Sequence, residues 1–349
     1  MERLHIAFFG PANSGKSTLV NAICEQEVSL VSPIPGTTTD PVRKIAELPG
    51  LGPCVLIDTA GLDDSSALGA ERQRLTRAIM DETDVAVLLD DSILPQFQEA
   101  GIPSVVYRRG QSIDSLLESI AAVAPKEESK FLTGNLVGPG SNVLLVMPQD
   151  SEAPKGRLIL PQVQILRELL DRGCVPHSCT HESLPAAMAS LANKPDLVIT
   201  DSQVFGLVNR TIPQDWALTS FSVLLAAAKG DLKVFVKGAQ AIDSLKPGSR
   251  VLIAEACTHV PDTEDIGRVK IPAMLRKRIG EISVDIAAGN NFPEDLSPYS
   301  LIVHCGACVA NARLVRSRIR KAAAAGVPIT NYGLAIAYLQ GILSRISLP

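Results

Sequence analysis

The 349-residue sequence is short of aromatics, which make up 4% with Trp216 the single tryptophan, and it has no strong surplus of either charge, the formal net charge being -4. With few rings to stack on and no basic excess, no nucleic-acid partner is expected. No apolar run approaches the roughly 20 residues that cross a bilayer, and the opening MERLHIAFFG leads straight into a phosphate-loop pattern instead of a signal peptide. A cytoplasmic protein without a membrane partner is expected. A disulfide framework is also disfavoured, because the seven cysteines are odd in number and scattered; metal binding or burial remains for them. There is no internal repeat and no long low-complexity tract.

What is present is an alternation of strand-like and helix-like runs, too long for one ordinary core, which reads as a three-domain α/β chain. The first domain, residues 1–126, opens with the strand LHIAFF (4–9), a glycine-rich turn and the helix TLVNAICEQ, and continues through CVLID (54–58), DVAVLLD (84–90), IPSVVY (102–107) and a helix at IDSLLESIAAVA. The segment APKEESK (124–130) reads as a linker. A small α/β domain at 131–217 contains NVLLVMP (142–148), the helix QVQILRELLDRG (162–173) and DLVITDS (196–202). The third, 218–349, is marked by KVFVKG (233–238), RVLIAEACTH (250–259), SLIVHCGAC (300–308) and closing helices around VRSRIRKAAAAG and LAIAYLQGILSRI.

GPANSGKST, residues 10–18, fits G-x-x-x-x-G-K-[ST] between a strand and a helix. Gly10, Asn13, Ser14, Gly15, Lys16, Ser17 and Thr18 would wrap phosphates in backbone N–H groups, with Lys16 on the terminal phosphates and Ser17 on magnesium. PGTTTD (35–40) offers Thr38 as a switch threonine for magnesium and the end phosphate, and DTAG (58–61) offers Asp58 on the metal side, with Gly61 at the second switch. GTP or GDP with Mg2+ is the expected ligand. The guanine-reading N-K-x-D is missing: after SVVY the chain runs YRRG (107–110) and then at once into QSIDSLLESI, as though one strand, one helix and the base-binding loops were absent. This stretch resembles the translation-factor-like GTPases of the TrmE and Era type, a resemblance that implies a potassium ion beside Asn13. Leu62 stands where a Ras-like enzyme has its water-orienting glutamine, so hydrolysis is expected to be slow.

The second constellation is C-T-H at 257–259 with H-C-G-A-C at 304–308, each after an apolar strand-like run. Thiolates of Cys257, Cys305 and Cys308 suit an iron–sulfur cluster or zinc, with His259 or His304 as a fourth donor. IAEACTH, DIGRVKIP, FPEDLSPYSLIVHCGAC and GVPITNYGLAIAY resemble the cluster domain of the iron-iron hydrogenase maturation GTPases of the HydF type, and PQDSEAPKGRLILPQVQ (148–164) resembles that family's middle, dimerisation domain. The resemblance implies a 4Fe-4S cluster on Cys257, Cys305 and Cys308 with a labile or non-cysteine fourth ligand, His259 and His304 being contributors. It also implies a di-iron cofactor precursor as cargo, a homodimer, and as partners apo-[FeFe]-hydrogenase with the radical-SAM maturases HydE and HydG. Two other readings stay open on the residues alone: a regulatory P-loop GTPase with structural zinc, and an iron–sulfur electron carrier that keeps a vestigial nucleotide fold.

Cys24 and Cys54 read as small buried hydrophobes. Cys174, His177, Cys179 and His181 read as a strand leading away from a helix. Asp150, Glu152, Lys155 and Arg157 read as a polar loop, a functional or interdomain surface by the family resemblance.

Overall fold

The computed structural model describes residues 3–24, 41–62, 69–125, 131–149, 156–256 and 265–349. The chain divides into two compact units, Met1–Glu128 with Asn311–Ser317, and Ser129–Ala310 with Arg318–Pro349.

The first unit is built on β1 (Leu4–Phe9), β2 (Val42–Leu48), β3 (Gly52–Asp58), β4 (Val85–Leu88) and β5 (Ser104–Val106), in the order β2-β3-β1-β4-β5. Among the described strands of this unit only β2 runs antiparallel to its neighbour. Its helices are α1 (Lys16–Cys24), α2 (Gly69–Glu82), α3 (Leu94–Glu99) and α4 (Ile113–Val123). Successive strand side chains point to opposite faces, so Ile6 and Phe8 of β1 enter one apolar cluster and Ala7 and Phe9 another. A sheet that is apolar on both faces needs helices on both. Leu19, Val20, Leu116 and Ile120 of α1 and α4 cover the first face; Ile79 of α2 and Phe97 of α3 cover the second. Each such fully buried side chain contributes about 1.5–3 kcal/mol. Cys54 is fully buried and Cys24 packs partly buried against the first cluster, as expected of small hydrophobes.

β2 has no counterpart in the sequence reading. VRKIAEL alternates partly buried with exposed positions, but Lys44 is among the inward ones and Ile45 is 58% exposed, so the hydrophobic pattern of a half-buried strand is absent. Pairing with the apolar β3 holds it in place.

The second unit carries two parallel sheets. β6 (Asn142–Val146), β7 (Val175–Cys179), β8 (Leu197–Thr200) and β9 (Leu218–Ser220) lie in the order β7-β6-β8-β9, with α5 (Leu160–Asp171), α6 (Leu184–Ser190), α7 (Phe205–Thr211) and α8 (Phe221–Lys229). Val143, Leu145, Ile165, Leu169, Ile199, Phe221 and Leu224 close its core. The division expected between 217 and 218 lies at the entrance to β9, and both β9 and α8 pack with this sheet. Cys174, His177, Cys179 and His181 lie at or in β7, which does lead away from α5.

The last sheet comprises β10 (Arg250–Glu255), β11 (Ser283–Ala288), β12 (Leu301–His304) and β13 (Ile329–Asn331) in the order β11-β10-β12-β13, with α9 (Leu232–Gln240), α10 (Ile271–Ile279), α11 (Ala312–Ala324) and α12 (Tyr332–Leu339). KVFVKG, with its strand-like alternation, is helical within α9. Asp231 caps that helix by accepting from Val234 N (3.1 Å), and Gly238 lets it lie against β13, since a Cβ there would come within 1.9 Å of Ile329 O. β10 and β12 end side by side, Ala254 opposite His304. The carboxyl ends of parallel strands are where open α/β sheets take their ligands. Among the described residues no helix is long and apolar enough to cross a membrane.

Candidate functional site

Gly10, Asn13, Ser14, Gly15, Lys16, Ser17 and Thr18 come together with Asp58 and Gly61 where β1 and β3 end. Thr38 lies outside the described residues. Asn13 (φ 59°) and Gly15 (φ 96°) are both left-handed, and Ser14 N donates to Pro11 O (3.3 Å), which curls the loop just ahead of the first turn of α1, the kind of backbone that forms an anion nest. Ser14 Oγ is buried and has no hydrogen-bond partner among the described residues. Lys16 is 6% exposed, and its Nζ donates to the carbonyls of Gly10 (3.0 Å) and Pro11 (2.7 Å), which keeps the ammonium over the loop. Ser17 Oγ donates to Asp58 Oδ2 at 2.6 Å, pairing the two expected magnesium-side oxygens. Gly61 lies against the loop: a Cβ there would stand 2.7 Å from Ala12 N. Donor set and cradle fit a magnesium-bound phosphate chain.

The base side is different. β5 is the end strand of its sheet, and the chain passes through exposed Arg108, Arg109 and Gly110 into α4, capped by Ser112. No aspartate occupies the place after β5 where N-K-x-D would stand.

The cysteine site sits where β10 and β12 end. Cys305 N donates to Ala254 O (2.9 Å), and Cys305 Sγ accepts from Ala256 N (3.1 Å) and Ala307 N (3.4 Å). The residue preceding Cys257 is thereby fixed to the Cys305 sulfur. Ala307 takes φ 51°, a left-handed conformation costly for alanine, which turns its N–H back to that sulfur. Burial pushes the Cys305 thiol upward, with Cys308 adding to this, while the two N–H donors oppose it. Two amide donors on one sulfur are an arrangement that favours a ligating thiolate. Among the described residues no three His, Cys, Asp or Glu side chains form a metal site; Cys257 and His259, like Asp150, Glu152 and Lys155, lie outside them.

His304, at the end of β12, is hydrogen-bonded on both sides of its ring. The carbonyl of Cys305 can only accept, so Nδ1 carries the proton and donates to it (2.7 Å), and Nε2 accepts from Arg318 Nη1 (3.1 Å). Both ring nitrogens are thus engaged within the protein, and the ring ties the loop. Burial first and the Arg318 charge second push its pKa down to about 3. The unfolded chain therefore takes up a proton that the fold refuses. Stability should be intact above the ordinary histidine pKa near 6.5 and fall as pH drops toward 3, by about 1.4 kcal/mol per pH unit. Urea unfolding of the metal-free protein across this range should show that slope, and His304→Asn should lack it.

Two residues at this site have no motif. Lys229 ends the apolar helix FSVLLAAAK, and Arg318 sits in a basic run where Arg316 and Arg320 are exposed. Helical phase is the one available signal, placing Arg318 on the inner face with Leu314.

Comparison with known proteins gives three domain-level matches: the Hydrogen maturase F dimerization domain over residues 132–230, the Hydrogen maturase F tetramerization domain over 233–349, and the 50S ribosome-binding GTPase family over 5–130. A tRNA modification GTPase MnmE of Methylobacterium sp. (strain 4-46) is 45% identical over 94 residues, 25% of this chain and 21% of that protein. GTPase Der of Kosmotoga olearia (strain ATCC BAA-1733 / DSM 21960 / TBF 19.5.1) is 33% identical over 138 residues, 38% of this chain and 31% of that one. The chain thus spans about a fifth to a third of these curated relatives. A crystal structure of Era with MgGDPNP and a 16S ribosomal RNA fragment matches at 17% identity and a TM-score of 0.33, over 52% of this chain and 93% of that one, too low a score to bear on the assignment.

Proposed function

Because the chain belongs to the HydF family of hydrogen maturases, with a GTPase domain ahead of dimerization and tetramerization domains, we propose that it is a cytoplasmic scaffold that holds a 4Fe-4S cluster and delivers a di-iron precursor to apo-[FeFe]-hydrogenase. HydE and HydG are its partners upstream. Cys257, Cys305 and Cys308 hold the cluster, which supplies an exchangeable iron site at which the cargo docks and leaves. The observation that supports this reading is the Cys305 sulfur accepting from Ala256 N, the residue that precedes Cys257 in the sequence. His304 and the Ala307 turn orient the loop.

In the nucleotide domain Lys16 and the loop amides bind phosphates, and Ser17, Asp58 and Thr38 hold Mg2+, with K+ beside Asn13. Leu62 in place of a water-orienting side chain makes this a slow GTPase and a switch. Gly61, in contact with the loop, links phosphate occupancy to the segment that follows it.

The test of the scaffold role is transfer. Protein loaded anaerobically with cluster and di-iron precursor, mixed with purified apo-hydrogenase, should restore hydrogen evolution. Loaded protein that leaves the hydrogenase inactive would sink the delivery role.

Self-assembly uses the middle domain. Leu160, Val163 and Leu170, 42%, 45% and 50% exposed, share one face of α5, and Val175 on the end strand β7 is 48% exposed. A second copy of this chain is the occupant that fits a dimerization domain. Val163→Asp is expected to weaken the dimer by tenfold or more, read as monomer by light scattering at concentrations where wild type is dimeric.

A further inference from the structure

The loop from Cys305 to Ala310 is tied by buried cations. Lys229 is 5% exposed, and its Nζ donates to the carbonyls of Ala307 (2.8 Å), Ala310 (2.7 Å) and Cys308 (3.4 Å). Arg318, 1% exposed, donates to Glu255 O at the end of β10 (3.2 Å), to Gly289 O just after β11 (2.6 Å) and to His304 Nε2 (3.1 Å), and its guanidinium lies 4.9 Å from the Phe292 ring centre. One cation therefore holds the backbone of Cys308 and the other holds the histidine next to Cys305.

Burying an ion costs several kcal/mol, and both of these ions lie against the cysteine loop. What a full charge adds is a field. Opposite charges a few ångströms apart attract strongly in a medium poorer than water, and a loop bearing thiolates around a cluster is negative, more so when reduced. We propose that Lys229 and Arg318 are positioning residues that hold the Cys305–Cys308 loop and offset the negative charge of a cluster bound there, raising its reduction potential. This rests on the cluster reading above.

The full chain as wild type, Lys229→Met, Lys229→Arg and Arg318→Met is reconstituted anaerobically with iron and sulfide. Folding is read by circular dichroism and cluster content by metal analysis; EPR follows one-electron reduction by dithionite. Loss of the Lys229 charge should shift the reduction equilibrium of the loaded protein at least tenfold toward the oxidised state, about 59 mV for a one-electron couple. Lys229→Arg, which keeps the charge, should return to within about threefold of wild type. An unshifted potential in Lys229→Met and Arg318→Met overturns the proposal, whether cluster content is normal or reduced, because a purely structural tie changes content alone. If Lys229→Met does not fold, Arg318→Met decides by the same criterion. Wild type that takes up no cluster fails at an earlier step and overturns the scaffold reading together with this one.

Discussion

Lys16→Ala is expected to weaken nucleotide binding by roughly 10- to 100-fold, equally for guanine and adenine nucleotides. Lys16 is the buried ammonium over the phosphate loop, and its two carbonyl partners are ones a phosphate can replace. A hydrogen bond to a charged group contributes about 1.5–3 kcal/mol, and 1.4 kcal/mol is tenfold in affinity. The equality between bases follows from the other end of the site. A buried hydrogen-bonding pocket rejects a mismatched ligand by about 10⁴–10⁵, and the chain leaves β5 through exposed Arg108 and Arg109 where such a pocket would be made. Wild type should therefore prefer GTP over ATP by less than about tenfold, far below the discrimination of a site that reads the base edge. Titration calorimetry with GTP, GDP, ATP and inorganic pyrophosphate measures both quantities. A preference near 10⁴ would mean that guanine is read by residues outside this account.

The second large effect is expected of Cys305→Ala/Cys308→Ala, which should lose all cluster iron while the fold and nucleotide binding persist. Cys305 is the sulfur on which Ala256 and Ala307 converge, and Cys308 is three residues on, its carbonyl held by Lys229. With both gone, only Cys257 remains of the expected thiolates, and one thiolate does not hold an iron–sulfur cluster. Iron and sulfide analysis after anaerobic reconstitution should give the background of a protein with no cluster. Retention of more than about half the wild-type iron would move the ligands elsewhere, with Cys174 just before β7 and Cys179 at its end the first to test.

The legibility of the sequence depended on how local each feature is. The phosphate loop was readable because strand, loop and helix lie within about 20 residues and each glycine has a backbone reason, confirmed by Gly15 at φ 96° and Gly61 against Ala12. The three α/β layers were readable for the same reason: parallel strands buried on both faces make continuous apolar runs. β2 was not, because an outer strand with Lys44 facing inward lacks the alternation that announces a strand. KVFVKG has the residue alternation of a strand, but Asp231 and Gly238, a cap and a close approach to β13, make it a helix. At the cysteine site, residue types suggest metal ligands, but His304 is held by Arg318, Lys229 acts 78 residues from Ala307, and neither contact has a sequence signature.

The identity of the metal tests the central claim most directly. Wild-type protein, freed of metal and offered iron with sulfide in the presence of equimolar zinc under anaerobic conditions, is to be read by metal analysis and by EPR after reduction. This account predicts uptake of iron and sulfide in equal amounts and the signal of a reduced 4Fe-4S cluster. Stoichiometric zinc with no iron and no signal would contradict it, leaving a nucleotide-binding protein whose cysteines hold a structural ion.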